Sequence, residues 1–205
     1  MSIQQTNMIK AALVAASLSL TAGIASAATV TFESLGIAEL NALTPVSNPS
    51  PSATSPVFFD NVTGDQFDSD VRVARSVWKD TEHEDTGVYS SVQANASATF
   101  TFAGEQDRLE LIWGSPDDYN DLIITLSGGG GDVVINGADV QGPIGELASF
   151  VTITDVLFTS VTFEATENAF EFANLSATPV PLPAGALLIG TALAGFGFMR
   201  RRRKA

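Results

Sequence analysis

The sequence predicts an all-β domain, a single antiparallel β-sandwich of jelly-roll-like form, over residues 28–178. Three observations predict it. Short segments alternate apolar and polar residues with a period of two, the pattern of a strand with one buried face. Those segments are rich in β-branched and aromatic residues and are bounded by Gly, Pro, Asn or Asp. Only Leu35 to Leu43 carries apolar residues at helical spacing, and it predicts one short helix. Two antiparallel sheets packed face to face bury such a pattern most simply.

The elements follow in chain order. Thr44 to Pro56 holds prolines at 45, 49, 51 and 56 among Ser and Thr, and reads as an exposed loop. Val71, Val73 and Val77 alternate with Arg72, Ala74 and Ser76 and predict a strand. Ala96, Ala98, Phe100 and Phe102 predict another, and Leu109, Leu111 and Trp113 a third. Leu122, Ile124 and Leu126 lead to Gly128–Gly131, a loop tip before the strand starting at Asp132. Those glycines do not suit a phosphate cradle, because no Lys-Ser/Thr follows and a strand comes next. Val161, Phe163 and Ala165 alternate with Thr162 and Glu164, and Phe170 and Phe172 flank Glu171.

Charge divides the chain differently. It has 205 residues, no cysteine, and 23 acids against 10 Lys plus Arg, a net charge of -13. All the acids lie between Glu33 and Glu171, where only Arg72, Arg75, Lys79 and Arg108 oppose them. Such a body offers no basic footprint for phosphates, so no nucleic-acid partner is expected. Without cysteine there is no disulfide, thiolate metal site or cysteine nucleophile.

Residues 1–27 read as a signal peptide. Lys10 is the basic start, Ala11 to Ile24 the apolar run, and Ala25 and Ala27 the small residues ahead of cleavage, so the mature chain starts at Ala28. An uncleaved anchor is the competing reading, against which the run is short. At the other end Val180-Pro181-Leu182-Pro183-Ala184 precedes an apolar stretch, and Arg200, Arg201, Arg202, Arg203 and Lys204 follow it. Residues 184–199 predict a short transmembrane helix, with the basic cluster 200–204 holding the C-terminus on the cytoplasmic side. The two prolines mark where that helix begins.

Residues 179–205 resemble the VPLPA-CTERM class of PEP-CTERM sorting tails in all three parts, in order. The resemblance implies export with signal peptidase, then processing by an exosortase, an integral-membrane transpeptidase-like enzyme. It further implies passage from an inner-membrane-anchored precursor to the cell surface or extracellular matrix, in a setting linked to exopolysaccharide and biofilm. An ordinary tail anchor is the alternative. The body also resembles the β-rich exosortase-dependent surface proteins. The resemblance lies in Trp113-Gly114-Ser115-Pro116-Asp117-Asp118-Tyr119-Asn120, in a preceding Tyr89-Ser90-Ser91-Val92 strand, and in a closing Asn168 to Asn174 strand. It covers residues 85–205 well and 28–84 poorly. Many relatives carry an acid where this chain has Ala173.

Chemistry-bearing residues are few. His83 is the single histidine, set among acids, and reads as a solvated loop residue. No Gly-x-Ser-x-Gly elbow is present. Trp113 falls on an apolar face, whereas Trp78 and Tyr119 are free to be exposed. Two acidic clusters could hold Ca²⁺: Asp60, Asn61, Asp65, Asp68 and Asp70, and, as the stronger candidate, Asp117, Asp118 and Asp121 beside Asn120. The favoured reading of both clusters is plain acidity that keeps an exported protein soluble. The sequons at Asn61, Asn95 and Asn174 read as chance matches. The expected protein is therefore non-catalytic, with a structural or adhesive role. A carbohydrate-binding module for exopolysaccharide is the alternative, and a secreted hydrolase a further one.

Overall fold

The computed structural model describes residues 16–20, 28–55, 57–69, 72–141 and 148–181. The first half of the chain contributes β1 (Ala16–Leu20), β2 (Ala28–Leu35), α1 (Ile37–Ala42), β3 (Ala53–Ser55), β4 (Phe58–Thr63), β5 (Gln66–Ser69), β6 (Arg72–Ala74) and β7 (Val88–Val92). Then come β8 (Ala96–Gly114), β9 (Asn120–Leu126), β10 (Asp132–Asn136), α2 (Gly137–Val140), β11 (Ala148–Thr154), β12 (Phe158–Ala165) and β13 (Phe170–Pro179). The domain is all-β and its strand pairs are antiparallel.

The 19-residue strand β8 organises everything. Its first part, up to Thr101, pairs with β12 on one side and β3 on the other. Its second part, from Gln106 to Gly114, pairs with β11 and β13. Between them β8 carries extra residues, since Ser160 of β12 faces Thr101 while Phe158 faces Gln106. An irregularity of this kind bends a strand and lets it pass from one layer to another. One layer is thus β10-β9-β12-β8-β3, and the other is β1-β2-β11-β8-β13-β7-β4. A small β5–β6 hairpin stands apart.

The two layers bury a common core. Phe100 and Phe163 from the first layer meet Phe170, Phe172 and Trp113 from the second. Phe163 stacks on Phe172 at 4.0 Å, and Trp113 on Phe170 at 4.2 Å. Phe100 meets Phe163 edge-on at 5.5 Å. Such aromatic pairs add to the area they bury.

The second layer is covered on its outer face too. Leu40 of α1, with Val77 and Trp78 of the loop after β6, packs on Tyr89, Ile112 and Ala173. This explains why residues 109–113 do not alternate cleanly: Ile112 points away from Leu111 and Trp113, yet is equally buried. It also suits the small Ala173, which is fully enclosed.

Three expectations are corrected. The strand expected through Val77 ends at Ala74, and Val77 and Trp78 enter a turn. Trp78 is fully buried rather than exposed, because its indole lies over Gly87 and donates to the Val88 carbonyl at 3.0 Å. The Pro-Ser loop is exposed along much of its length but is stapled down at Asn48. There the buried amide donates to Ser90 Oγ (3.0 Å) and the Phe172 carbonyl (3.2 Å), and accepts from Leu175 N–H (2.8 Å).

Candidate functional site at three adjacent strands

Three segments distant in the sequence come together in space. Tyr89 to Val92 lies in β7, Trp113 and Gly114 end β8, and Phe170 to Asn174 begins β13, which lies between them. Glu171 sits at the centre of this trio, opposite Ser91 on one side and Gly114 on the other.

Along β13, Phe170 and Phe172 face the main core, so Glu171 must face the outer cover. That cover is closed there. Glu171 is buried, and its Oε1 accepts the Arg75 backbone N–H at 3.0 Å. Burial pushes its carboxyl up to about 8, opposed by the Arg75 N–H and reinforced by the negative charge of Asp117. At neutral pH this side chain is therefore largely a neutral acid. Gly114 makes the arrangement possible: a Cβ there would lie 2.7 Å from Val77 Cγ2 and 3.3 Å from Glu171 Cβ.

Beyond Gly114 the chain makes a tightly held turn. Asn120 N–H donates to the Asp117 carbonyl at 3.1 Å, and the Tyr119 hydroxyl donates to Asp117 Oδ2 at 2.7 Å. Burial, then this bond, raises the Tyr119 hydroxyl above its ordinary range. Asn136 at the end of β10 donates from Nδ2 to the Asp118 carbonyl (2.9 Å) and to Asp121 Oδ1 (2.8 Å). Gln141 donates to the Pro116 carbonyl at 3.0 Å. Gly137 passes so close that a Cβ would sit 2.2 Å from the Asp117 carbonyl oxygen.

This geometry places the three carboxylates of the candidate calcium site, Asp117, Asp118 and Asp121. Among the described residues, no group of three or more His, Cys, Asp or Glu side chains is arranged to hold a metal ion. Asp117 is engaged by Tyr119, Asp121 by Asn136, and Asp118 is exposed. In the other cluster, Asp60 accepts from Asn61 Nδ2 at 2.8 Å. Asp65 accepts from Ser76 N–H at 2.9 Å and pairs with Lys79 at 3.4 Å. These carboxylates serve the fold's own donors.

His83 is half-buried rather than fully solvated. Its ring meets Trp78 edge-on at 5.6 Å, and its Nε2 is enclosed without a hydrogen-bond partner. Asn61, Asn95 and Asn174 all adopt positive φ, of 50°, 56° and 52°. Asn174 uses its amide to bind the Val46 N–H and the Thr44 carbonyl. These asparagines are turn and bulge residues, a role Asn fills readily.

Two features of this region were not foreseen: the buried acid at Glu171 and the buried amide at Asn48. For Glu171 the available signal was an acid between two phenylalanines in a strand whose neighbour, Ala173, is also apolar.

The ends are described only in part. Ala28 begins β2, and Ala16 to Leu20 pairs antiparallel with Ala28 to Phe32. Ala25 and Ala27 lie outside the described residues. Of the sorting motif, Val180 and Pro181 are described, and Val180 N–H donates to the Glu105 carbonyl at 3.0 Å. Leu182, Pro183, Ala184, the apolar stretch and Arg200 to Lys204 lie outside. Among the described residues no helix is long and apolar enough to cross a membrane. Comparison with protein-family models, curated proteins and solved structures finds no match.

Proposed function

We propose that this chain is an exported bacterial protein of the cell surface or extracellular matrix, delivered by its C-terminal tail, with a structural or adhesive and non-catalytic role. The observation that carries the reading is the order of the tail: Val180-Pro181-Leu182-Pro183-Ala184, then an apolar stretch, then Arg200 to Lys204. In this reading the body is a jelly-roll-like sandwich released by signal peptidase at Ala28 and held in the membrane by a helix over 184–199. An exosortase then processes the motif. Five basic residues resist translocation and fix the orientation. Proline keeps the motif out of the helix and extended.

The structural role is favoured by how the large polar aromatics are used. Trp78, Trp113 and Tyr89 are buried and cannot stack on a sugar, and the half-buried Tyr119 is tied by its hydroxyl to Asp117. The carboxyl of Glu171 is packed inside the fold and occupied by a backbone donor.

The test is Pro181→Ala with Pro183→Ala in the producing cell. Export and insertion are expected to persist while processing stops, leaving tail-bearing protein in the membrane. Normal removal of the tail from the double variant would sink the reading.

A further inference from the structure

The last strand, β13, ends at a well-defined place. Gln106, just past the bend of β8, pairs with Phe158 at the start of β12 and with Pro179 at the end of β13. Leu126 also faces Phe158, and Ser127 N–H donates to the Leu157 carbonyl at 2.8 Å, which brings in the glycine loop 128–131. Four segments therefore meet at one end of the domain: the β8 bend, the glycine loop, Asp155–Leu157 and the chain's exit at Val180. From Gln106 to Gly114, β8 then runs for eight residues, or about 27 Å, to the turn Gly114–Asn120. That turn is at the opposite end.

The exit has almost no slack. Val180 is still hydrogen-bonded to Glu105. Only Pro181 to Pro183 separates it from the helix expected over 184–199. Three residues span at most about 11 Å.

We propose that this four-segment end is a membrane-facing surface, held at the lipid headgroups by the short exit, so that the turn Gly114–Asn120 points away from the bilayer. The inference rests on the tail reading given above and adds an orientation to it. Several features of the end suit a headgroup layer. Leu157 is 46% exposed, and the glycine loop is exposed and uncharged. Exposed Glu105 and Asp155 oppose attraction to anionic lipid, so the tether enforces proximity and zwitterionic headgroups suit it better.

A chain without cysteine permits a direct test. Single substitutions Leu157→Cys, Glu105→Cys, Asp118→Cys and Gly190→Cys are labelled with a fluorophore in the full chain, reconstituted in phosphatidylcholine vesicles. A quencher on the headgroups is expected to remove most of the signal at 157 and 105 and little at 118. A quencher in the acyl chains is expected to act at 190. Replacing part of the lipid by phosphatidylglycerol should weaken quenching at 157 and 105. Equal, weak headgroup quenching at 157, 105 and 118, with 190 embedded, overturns the orientation and leaves the tail reading standing. No acyl-chain quenching at 190 overturns the tail reading, and the orientation with it.

Discussion

Glu171 and Arg75 are 96 positions apart in the chain, yet the Arg75 backbone N–H donates to the Glu171 carboxyl at 3.0 Å. This bond joins β13 to the loop that covers it. A titratable group is thereby placed at the centre of the β7–β13–β8 trio.

Its consequence is a pH dependence of stability. The folded-state value of about 8 lies above the ordinary 4.5, so the folded state holds a proton that the unfolded state has lost. The contribution is fully present below pH 4.5 and is lost as pH rises through about 8. Thermal unfolding followed from pH 5 to 9 should show a falling melting temperature. Glu171→Gln keeps the shape without the proton, and should flatten that slope. An unchanged slope in the variant would refute the assignment.

The close approach of Gly137 to Asp117 predicts a sharp contrast between two glycines. Gly137→Ala drives a Cβ into a backbone carbonyl, which cannot swing aside, and should cost about 1–3 kcal/mol or more. Gly104→Ala meets nothing within 4 Å and should be close to neutral. Urea unfolding of both variants measures the difference.

Asn48 predicts local loosening. Asn48→Ala removes the partners of Leu175 N–H and the Phe172 carbonyl. Each buried group left unpaired costs about 1–3 kcal/mol. Limited proteolysis should then cut within residues 44–56 faster than in the parent protein. Equal cutting rates would mean that the loop is held by something else.

Phe163 predicts a global loss. It touches Phe100, Phe170 and Phe172 across the layer boundary. Phe163→Ala should destabilise the domain by about 3–5 kcal/mol, a large part of the stability of a single domain. Circular dichroism at increasing temperature reads the shift. A melting temperature within a degree or so of the parent, where about 1 kcal/mol moves it by several degrees, would show that the stack does not hold the layers together.

Much of the fold was legible in residue order alone. Period-two alternation at Ala96–Phe102, Leu122–Leu126 and Val161–Ala165 identifies strands whose apolar side faces the core. Physically, a strand with one buried face writes its burial into neighbouring residues. The short helix at Ile37–Ala42 and the burial of Trp113 were legible for the same reason. So too was the division of charge between an acidic body and a basic C-terminus, because charge needs no folding to be counted.

Only the tertiary structure decided the rest. Whether Trp78 is exposed depends on a loop folding back over Gly87, a contact that local pattern does not encode. Whether Asp117, Asp118 and Asp121 converge depends on Asn136 and Tyr119, which take up two of those carboxylates first. Glu171 looks like any outward-facing acid between two phenylalanines until the layer's second face is covered. Its burial is the product of contacts that are distant in sequence. Alternation reports one face of a strand, whereas the environment of the other face is set by whichever segment the fold lays upon it.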